Sequence, residues 1–426
     1  MDSSLDKEHH QHHHNAGFVA VHVGAGLHAA KNKTRYLDAC RNACQAGTRL
    51  LRTDPTATCA AVVEHMIRIL EDDPVTNAGT GSNLNLDGHV ECDASIMNGT
   101  SLGFGSVGAV SVLSIYATRT EFKNPISVAA RILEEADKGP LSLGRIPPTM
   151  LVGPGAGKWA DTMGFTLNRV RSNPYIPTPG NLAESSLSDM GAPINGSLVT
   201  RESLQYHLRF QEMLRNASTA EVPSKREAEV SSNQPLENPS SKKTAIGMED
   251  ELLQDTVGAI CVDRLGHVAS GVSSGGIAMK FSGRVSEAAI FGAGCWAQDA
   301  SETSAGFACS MTGAGEQICK TLLAKSCMET MVSEDDTSTA ANAVLDNFMN
   351  NPLLRSYGEK HAGFIAVKVD PLRSDKSDSN STNSDGHEKH HTTAAARGDF
   401  VIAHTTRTMG VAYMSTRDEK PKVMAE

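Results

Sequence analysis

The chain has 426 residues and a formal net charge of −10, with 39% hydrophobic, 21% charged and 4% aromatic residues. An acidic balance excludes a broad electrostatic surface for nucleic acid or anionic membrane, since both need a basic face, and no apolar run reaches the roughly 18 residues of a membrane helix. At about 150 residues per domain the length suggests roughly three domains, yet the apolar share is low for three packed cores, so part of the chain is expected not to fold.

Residues 1–16 hold His9, His10, His12, His13 and His14 and no apolar leader segment. They read as a disordered His-rich N-terminus and not as a secretory signal. Without a secretory route the nine scattered cysteines are expected to be free thiols. Phe18–Val23 reads as a buried strand ending in the turn Gly24-Ala25-Gly26. A helix over Arg35–Leu51 places Tyr36, Cys40, Cys44 and Leu51 on one face, where the two cysteines pack instead of binding metal. A second helix is expected from a Thr53 or Asp54 cap with Pro55 in its first turn. It runs to about Leu70 and buries Ala60, Val63, Ile67 and Leu70.

Asn77-Ala78-Gly79-Thr80-Gly81-Ser82 is a glycine-rich loop. Strands follow at His89–Ile96 and Val107–Leu113, and Asn124-Pro125 opens a helix to about Asp137. Gly153–Lys158 superficially resembles a phosphate loop, but the places that such a loop gives to Gly and Ser/Thr hold Val152 and Trp159. Residues 173–255 read as a flexible linker, with one helix over 201–217 and a disordered stretch over Ser224–Ser241. Its basic pairs, Lys225-Arg226 and Lys242-Lys243, read as solvated linker charge, with a split nuclear-import signal as the alternative.

Order resumes at Thr256. Val257–Asp263 and Val268–Val272 form a hairpin through Arg264–His267. Helices are expected at Glu316–Cys327 and Thr337–Met349 and strands at Gly363–Val369, Phe400–His404 and Gly410–Ser415. A disordered loop at 370–398 and a tail at 416–426 complete the chain.

The junction Leu253-Gln254-Asp255-Thr256-Val257-Gly258 carries the chemistry. A linker ends at Asp255 and an apolar strand starts at Thr256, so Thr256 is placed to become a chain terminus. A freed α-amine has a pKa of about 7.7–8.0 and can take the proton of its own hydroxyl near neutral pH, with no histidine required. On its own this pattern is better explained by a β-branched residue starting a strand, since Asp-Thr dipeptides are common.

Further motifs stand in fixed order. Downstream lie Ser273-Ser274-Gly275-Gly276, Lys280-Phe281-Ser282-Gly283-Arg284-Val285-Ser286-Glu287, Gly292-Ala293-Gly294-Cys295-Trp296 and Thr312-Gly313-Ala314-Gly315. Upstream lie His22-Val23-Gly24-Ala25-Gly26, Asn77-Ala78-Gly79, Gly81-Ser82 and Asp93-Ala94-Ser95-Ile96-Met97. Together they resemble the type-2 asparaginase family of N-terminal-nucleophile hydrolases. Thr76–Leu86, Glu91–Met97, Gly144-Arg145-Ile146-Pro147-Pro148 and Gln254-Asp255 resemble in particular its threonine aspartase (taspase) branch.

The resemblance implies an α/β fold, an αββα sandwich, in which 17–172 and 256–415 are two parts of one domain. It implies an inactive precursor that cuts itself between Asp255 and Thr256 to give an αβ heterodimer, with a dimer of these as the further alternative. The mature threonine endopeptidase would cut proteins after aspartate, at Gln-x-Asp-Gly-like sites. The implied substrates are trithorax and mixed-lineage-leukaemia-type histone methyltransferases and the precursor of general transcription factor IIA, in cytoplasm and nucleus. No cofactor, metal, nucleic acid or membrane is implied.

By the same resemblance Thr256 is nucleophile and base, and Ser274 is the second hydroxyl. Asn77, Thr312 and Gly313 hold the oxyanion and substrate. Arg284 is the carboxylate clamp, for which a planar bidentate fork is suited; the alternative for Arg284 is a surface ion pair. Glu287 belongs to the substrate site and departs from the aspartate of small-molecule asparaginases. A longer side chain there crowds a free α-amine and favours an endopeptidase. Asn98 in Met97-Asn98-Gly99 and Ser286 also depart from the family's Asp and Gly. An asparaginase or isoaspartyl peptidase, and a non-enzymatic binding protein on the same fold, are the alternative functions.

Overall fold

Alternation along single strands builds the layers. The computed structural model describes residues 16–26, 32–111, 123–165, 198–220, 256–371 and 398–425. In β1 (Phe18–Gly26), Val19, Val21 and Val23 face one core while Phe18 and Ala20 face another, as the two-residue period of a strand requires. The remaining strands are β2 (Glu91–Asn98), β3 (Phe104–Ser111), β4 (Met150–Val152), β5 (Val257–Val262), β6 (Val268–Ser274), β7 (Cys295–Gln298), β8 (Gly306–Gly313), β9 (Ala362–Val369), β10 (Gly398–His404), β11 (Thr408–Ser415) and β12 (Lys422–Ala425). They form an eight-stranded sheet, ordered β12-β11-β1-β5-β6-β2-β3-β4, and a four-stranded sheet, β10-β9-β8-β7.

Helices α1 (Lys33–Thr53), α2 (Cys59–Asp72) and α3 (Pro125–Asp137) cover the outer face of the large sheet. There Tyr36, Cys40, Val63, Ile67 and Ile132 share a core with the β1 valines and with Val257 and Ala259. Between the sheets, Phe18, Ala20, Ile260 and Val272 meet Ala308, Ile365 and Val367. On the far side of the small sheet, Phe307, Cys309 and Met311 pack against helices that span 315–349. The result is the αββα sandwich. Each fully buried Val, Ile, Phe or Met among these contributes about 1.5–3 kcal/mol, and β5 and β6 in the large sheet and β8 in the small one are buried along their whole length.

Several local expectations are corrected. α1 runs on to Thr53, and Asp54 is its C-cap and not the N-cap of α2: its N–H donates to Leu50 O at 3.0 Å, and its Oδ1 accepts from the Thr56 N–H and hydroxyl, closing a turn. α2 therefore starts at Cys59, with Thr58 Oγ1 accepting from Ala61 N at 3.2 Å. Its buried stripe is Val62, Val63, Met66, Ile67 and Leu70, and Ala60 lies off it. The helix expected at Glu316–Cys327 breaks at Leu322, whose left-handed φ of 45° separates Gly315–Thr321 from Leu323–Ser333. Gly153–Lys158 opens a helix, Gly153–Thr162.

The tail is not loose throughout: β12 pairs antiparallel with β11, Met424 opposite Val411. Nor is the whole linker. Leu198 accepts from Gly81 N at 3.0 Å, and Leu198, Val199 and Leu204 are buried in the helix-side core at the start of a helix over Arg201–Ala220. Weak apolar periodicity concealed this, because three short-spaced side chains suffice to dock the segment. Residues 1–15, Ser224–Ser241, Asp255 and 372–397 lie outside the described residues.

Candidate active site

β5 and β6 pair antiparallel with Val257 opposite Ser273, so Thr256 and Ser274 sit together at the same end of the hairpin. Both side chains turn to the face between the sheets, where alternation also puts Ile260 and Val272. Thr256 is 4% exposed. Its Oγ1 lies 3.3 Å from Ser274 Oγ and 2.9 Å from Glu287 Oε1. Its carbonyl accepts from Gly24 N at 2.9 Å, which ties the residue to the irregularity at Gly24 inside β1; the expected turn at Gly24-Ala25-Gly26 is not formed, since Ala25 and Gly26 go on pairing with β11.

Glu287 is 2% exposed and opens a 3-10 turn, Glu287–Ala289. Burial raises its carboxyl to about 7, against the lowering effects of the Arg284 guanidinium and the Thr256 hydroxyl. A carboxyl poised there can exchange a proton with Thr256 near neutral pH. Arg284 stands beside it. A Cβ added to Gly315 would fall 2.5 Å from Glu287 Oε2 and 2.8 Å from Arg284 Nη2, so only glycine leaves room for both groups. The same guanidinium pairs with Glu316, whose Oε1 lies 2.8 Å from both Nε and Nη2. The ion-pair reading of Arg284 is thus realised, with a carboxylate partner at the rim and a second carboxyl inside.

Asn77 is tied to the Ser274 turn. Its Nδ2 donates to Gly276 O at 2.9 Å, its Oδ1 accepts from Asn83 N at 2.8 Å, and its carbonyl accepts from Gly275 N at 2.7 Å. Thr312 is fully buried on β8 and accepts from Ala25 N at 3.0 Å. Gly313 has a φ of 135°, and a Cβ there would sit 2.4 Å from His361 O. Ser274 and Glu287 thus meet Thr256 directly, Arg284 and Asn77 stand next to these two, and Thr312, with Gly313 after it, joins through Ala25 on β1. Asp255, across the expected cut, lies outside the described residues.

Other residues in the motifs position the site without having drawn a role from sequence. Both carboxylate oxygens of Asp93 are used: Oδ1 accepts from Ala109 N and Oδ2 from Ser286 N, each at 2.7 Å. That places the Glu287 turn against β2 and β3. Glu91 accepts from Ser282 Oγ and Gly283 N, each at 2.9 Å, and fixes the turn before Arg284. Two acids inside an otherwise apolar strand were the signal. His22 Nε2 lies 2.8 Å from Ser310 Oγ, whose own hydrogen goes to Gly271 O at 3.1 Å, so Nε2 is the donor. Burial lowers the imidazole to about 3, which keeps it neutral.

The departures from the family pattern cost nothing locally. Ser286 has an extended backbone with φ −91°, which any residue adopts, and its Oγ caps the turn by accepting from Ala288 N. Asn98 Oδ1 accepts from Thr100 N at 3.2 Å, as an aspartate would. Among the described residues no group of His, Cys, Asp or Glu could hold a metal ion, and no helix is long and apolar enough to cross a membrane.

Comparison with known proteins agrees with this geometry. The sequence profile of the Asparaginase family matches residues 15–173 and 183–371. A plant-type L-asparaginase of Thermococcus kodakarensis is 30% identical over 405 residues, 95% of this chain and 98% of its own. An isoaspartyl peptidase/L-asparaginase of Mus musculus is 28% identical, covering 77% of this chain and 76% of its own. An isoaspartyl peptidase of Salmonella typhimurium is 29% identical, covering 73% and 77%. The profile spans most of the chain and both halves of the sandwich that meet at Thr256, and the chain belongs to the type-2 asparaginase family of N-terminal-nucleophile hydrolases.

Proposed function

We propose that the chain is the precursor of a threonine endopeptidase that first splits its own Asp255–Thr256 bond and then cuts other polypeptides after aspartate. Thr256 Oγ attacks the Asp255 carbonyl while its proton passes to Glu287. The C–N bond breaks as the nitrogen takes up a proton, leaving an ester on Oγ. Water hydrolyses the ester and frees the Asp255 carboxylate and the Thr256 α-amine. In the cleaved αβ pair that amine serves as base, and Arg284 receives the substrate's aspartyl carboxylate.

One observation favours an endopeptidase. Glu287 Oε1 is engaged by the Thr256 hydroxyl, and Oε2 lies in the narrow space against Gly315 and Arg284. An aspartyl residue within a polypeptide has no free α-amine for Glu287 to hold. Regulators of transcription, including trithorax-type methyltransferases and the general transcription factor IIA precursor, are the protein substrates on this reading.

The names of the curated relatives support a second reading, an asparaginase or isoaspartyl peptidase on the same nucleophile. Incubating the purified protein with a Gln-x-Asp-Gly peptide, with isoaspartyl dipeptides and with L-asparagine separates the two. Cleavage of the peptide after aspartate is expected. Turnover of the small substrates alone would replace the first reading with the second. A full-length chain that stays a single band indefinitely would dismiss both.

A further inference from the structure

Glu71 lies in the last turn of α2 on the helix side of the large sheet, opposite the face that carries Thr256, and the chemistry above makes no use of it. It is fully buried. Its Oε1 accepts from Ser273 Oγ at 2.7 Å and from Ile126 N, at the start of α3, at 3.0 Å. Its Oε2 has no hydrogen-bond partner among the described residues. Its main-chain carbonyl accepts from Thr80 N at 2.8 Å.

These bonds reach both supports of the site. Ser273 precedes Ser274 on β6 and stands opposite Val257, the residue after Thr256. Thr80 belongs to the loop that carries Asn77, whose side chain holds the Ser274–Gly276 turn. One residue thus anchors the Ser274 strand through its side chain and the Asn77 loop through its backbone. We infer that Glu71, as an uncharged carboxylic acid, is a positioning residue for self-cleavage that sets Ser274 against Thr256 through Ser273.

The groups facing Glu71 are consistent with a neutral acid. From β6 comes the Ser273 hydroxyl, from the start of α3 the Ile126 N–H and the Asn124 amide, and from its own helix the like charge of Asp72. From β2 comes the Cys92 thiol, which burial pushes up to about 11. No cation is among these groups. The donors favour the carboxylate, but burial outweighs them and raises the carboxyl to about 8. Above that pH a buried charge forms with one oxygen unpartnered, and relieving it requires water or movement of the surroundings, at the expense of the Ser273 register.

This inference rests on self-cleavage at Thr256, and the test keeps the two apart. Full-length chain made by cell-free translation is shifted to buffers from pH 6 to 9.5, and the rate of splitting is followed on gels. The uncleaved chain has no Thr256 α-amine to titrate. Wild type is expected to lose about fivefold in rate between pH 7 and pH 9, because ionisation of Glu71 removes about tenfold while ionisation of Glu287 restores about twofold. Glu71→Gln keeps an uncharged oxygen acceptor and should hold its rate within about twofold over that range. Ser273→Ala removes a donor that favours the charged form, so its alkaline limb should move to higher pH.

A merely structural Glu71 would slow splitting equally at every pH, and an unchanged limb in Glu71→Gln overturns the inference. If Glu71→Gln fails to fold, Ser273→Ala decides, and a limb that stays in place overturns it. A wild-type chain that never splits overturns the underlying reading and this one with it.

Discussion

The two faces of the last two residues of β6 carry the same problem and resolve it differently. Ser274 faces the space between the sheets with Glu287, and Ser273 faces the helices with Glu71. Each face buries a carboxyl almost completely, and burial raises both. Glu287 has the Arg284 guanidinium beside it and settles at about 7. Glu71 has only neutral donors and a neighbouring acid, and settles at about 8. On both faces burial outweighs what opposes it: hydrogen bonds from neutral donors at Glu71, and a cation with the nucleophile's hydroxyl at Glu287. Strand alternation places Glu287 on the nucleophile and Glu71 behind it.

The first way to break the comparison is to remove what the front face serves. Thr256→Ala takes away the nucleophile and leaves no residual route to the ester. Self-cleavage should fall by about 10⁴-fold or more, seen as a persistent full-length band of 45.2 kDa. Wild type should instead yield a smaller fragment whose N-terminal sequence begins at Thr256.

Removing the cation that separates the two carboxyls comes next. Arg284→Ala should lower kcat/KM for an aspartyl peptide by about 10³-fold, the scale of losing one member of a buried charge pair. It also removes the main influence holding Glu287 down. Glu287 should then behave more like Glu71, and the acid limb of self-cleavage should move above pH 7. If the limb stays in place, Arg284 does not tune Glu287.

Replacing Glu287 itself isolates its proton. Below about pH 7 the carboxyl is protonated and cannot take the Thr256 proton. Wild-type self-cleavage should therefore fall toward tenfold per pH unit on the acid side. Glu287→Gln should slow the reaction by about 10²-fold, a typical loss for a general base, and should show no acid limb. A variant that retains the limb assigns it to another group.

Much of the front face was legible through the order of its motifs, which resembles that of the family; a threonine after a linker, serines before Gly-Gly and an arginine in a glycine turn each have a plain structural explanation when taken alone. The layers were legible too, since Val19, Val21 and Val23 and the α2 stripe follow the strand and helix periods. The back face was not. Glu71 looks like one more acid in Glu71-Asp72-Asp73, and only the fold shows that it points at Ser273, about 200 residues away. β12 and the docked segment at 198–204 escaped for a related reason. Each contributes a few apolar side chains that acquire meaning only against a partner distant in sequence. The break at Leu322 carries no Gly or Pro to announce it.

The smallest effect tests whether the Glu287 turn depends on its own first residue. Ser286 stands where the family usually has glycine. Its extended φ of −91° needs no glycine, and its main-chain N–H already donates to Asp93 Oδ2 at 2.7 Å. Ser286→Gly therefore keeps the anchor to Asp93. It loses one capping bond to Ala288 N at 3.3 Å and adds freedom to the unfolded chain. Cap removal by glycine costs a few tenths of a kcal/mol and the added chain entropy about 0.4–1 kcal/mol. Chemical denaturation of the Thr256→Ala precursor, with and without Ser286→Gly, should thus differ by about 1 kcal/mol. Self-cleavage in the otherwise wild-type chain should change by less than about twofold, because Glu287 is placed by Asp93 and held down by Arg284. A larger loss of rate at the same small loss of stability would mean that the serine hydroxyl, and not Asp93, sets the angle at which Glu287 meets Thr256.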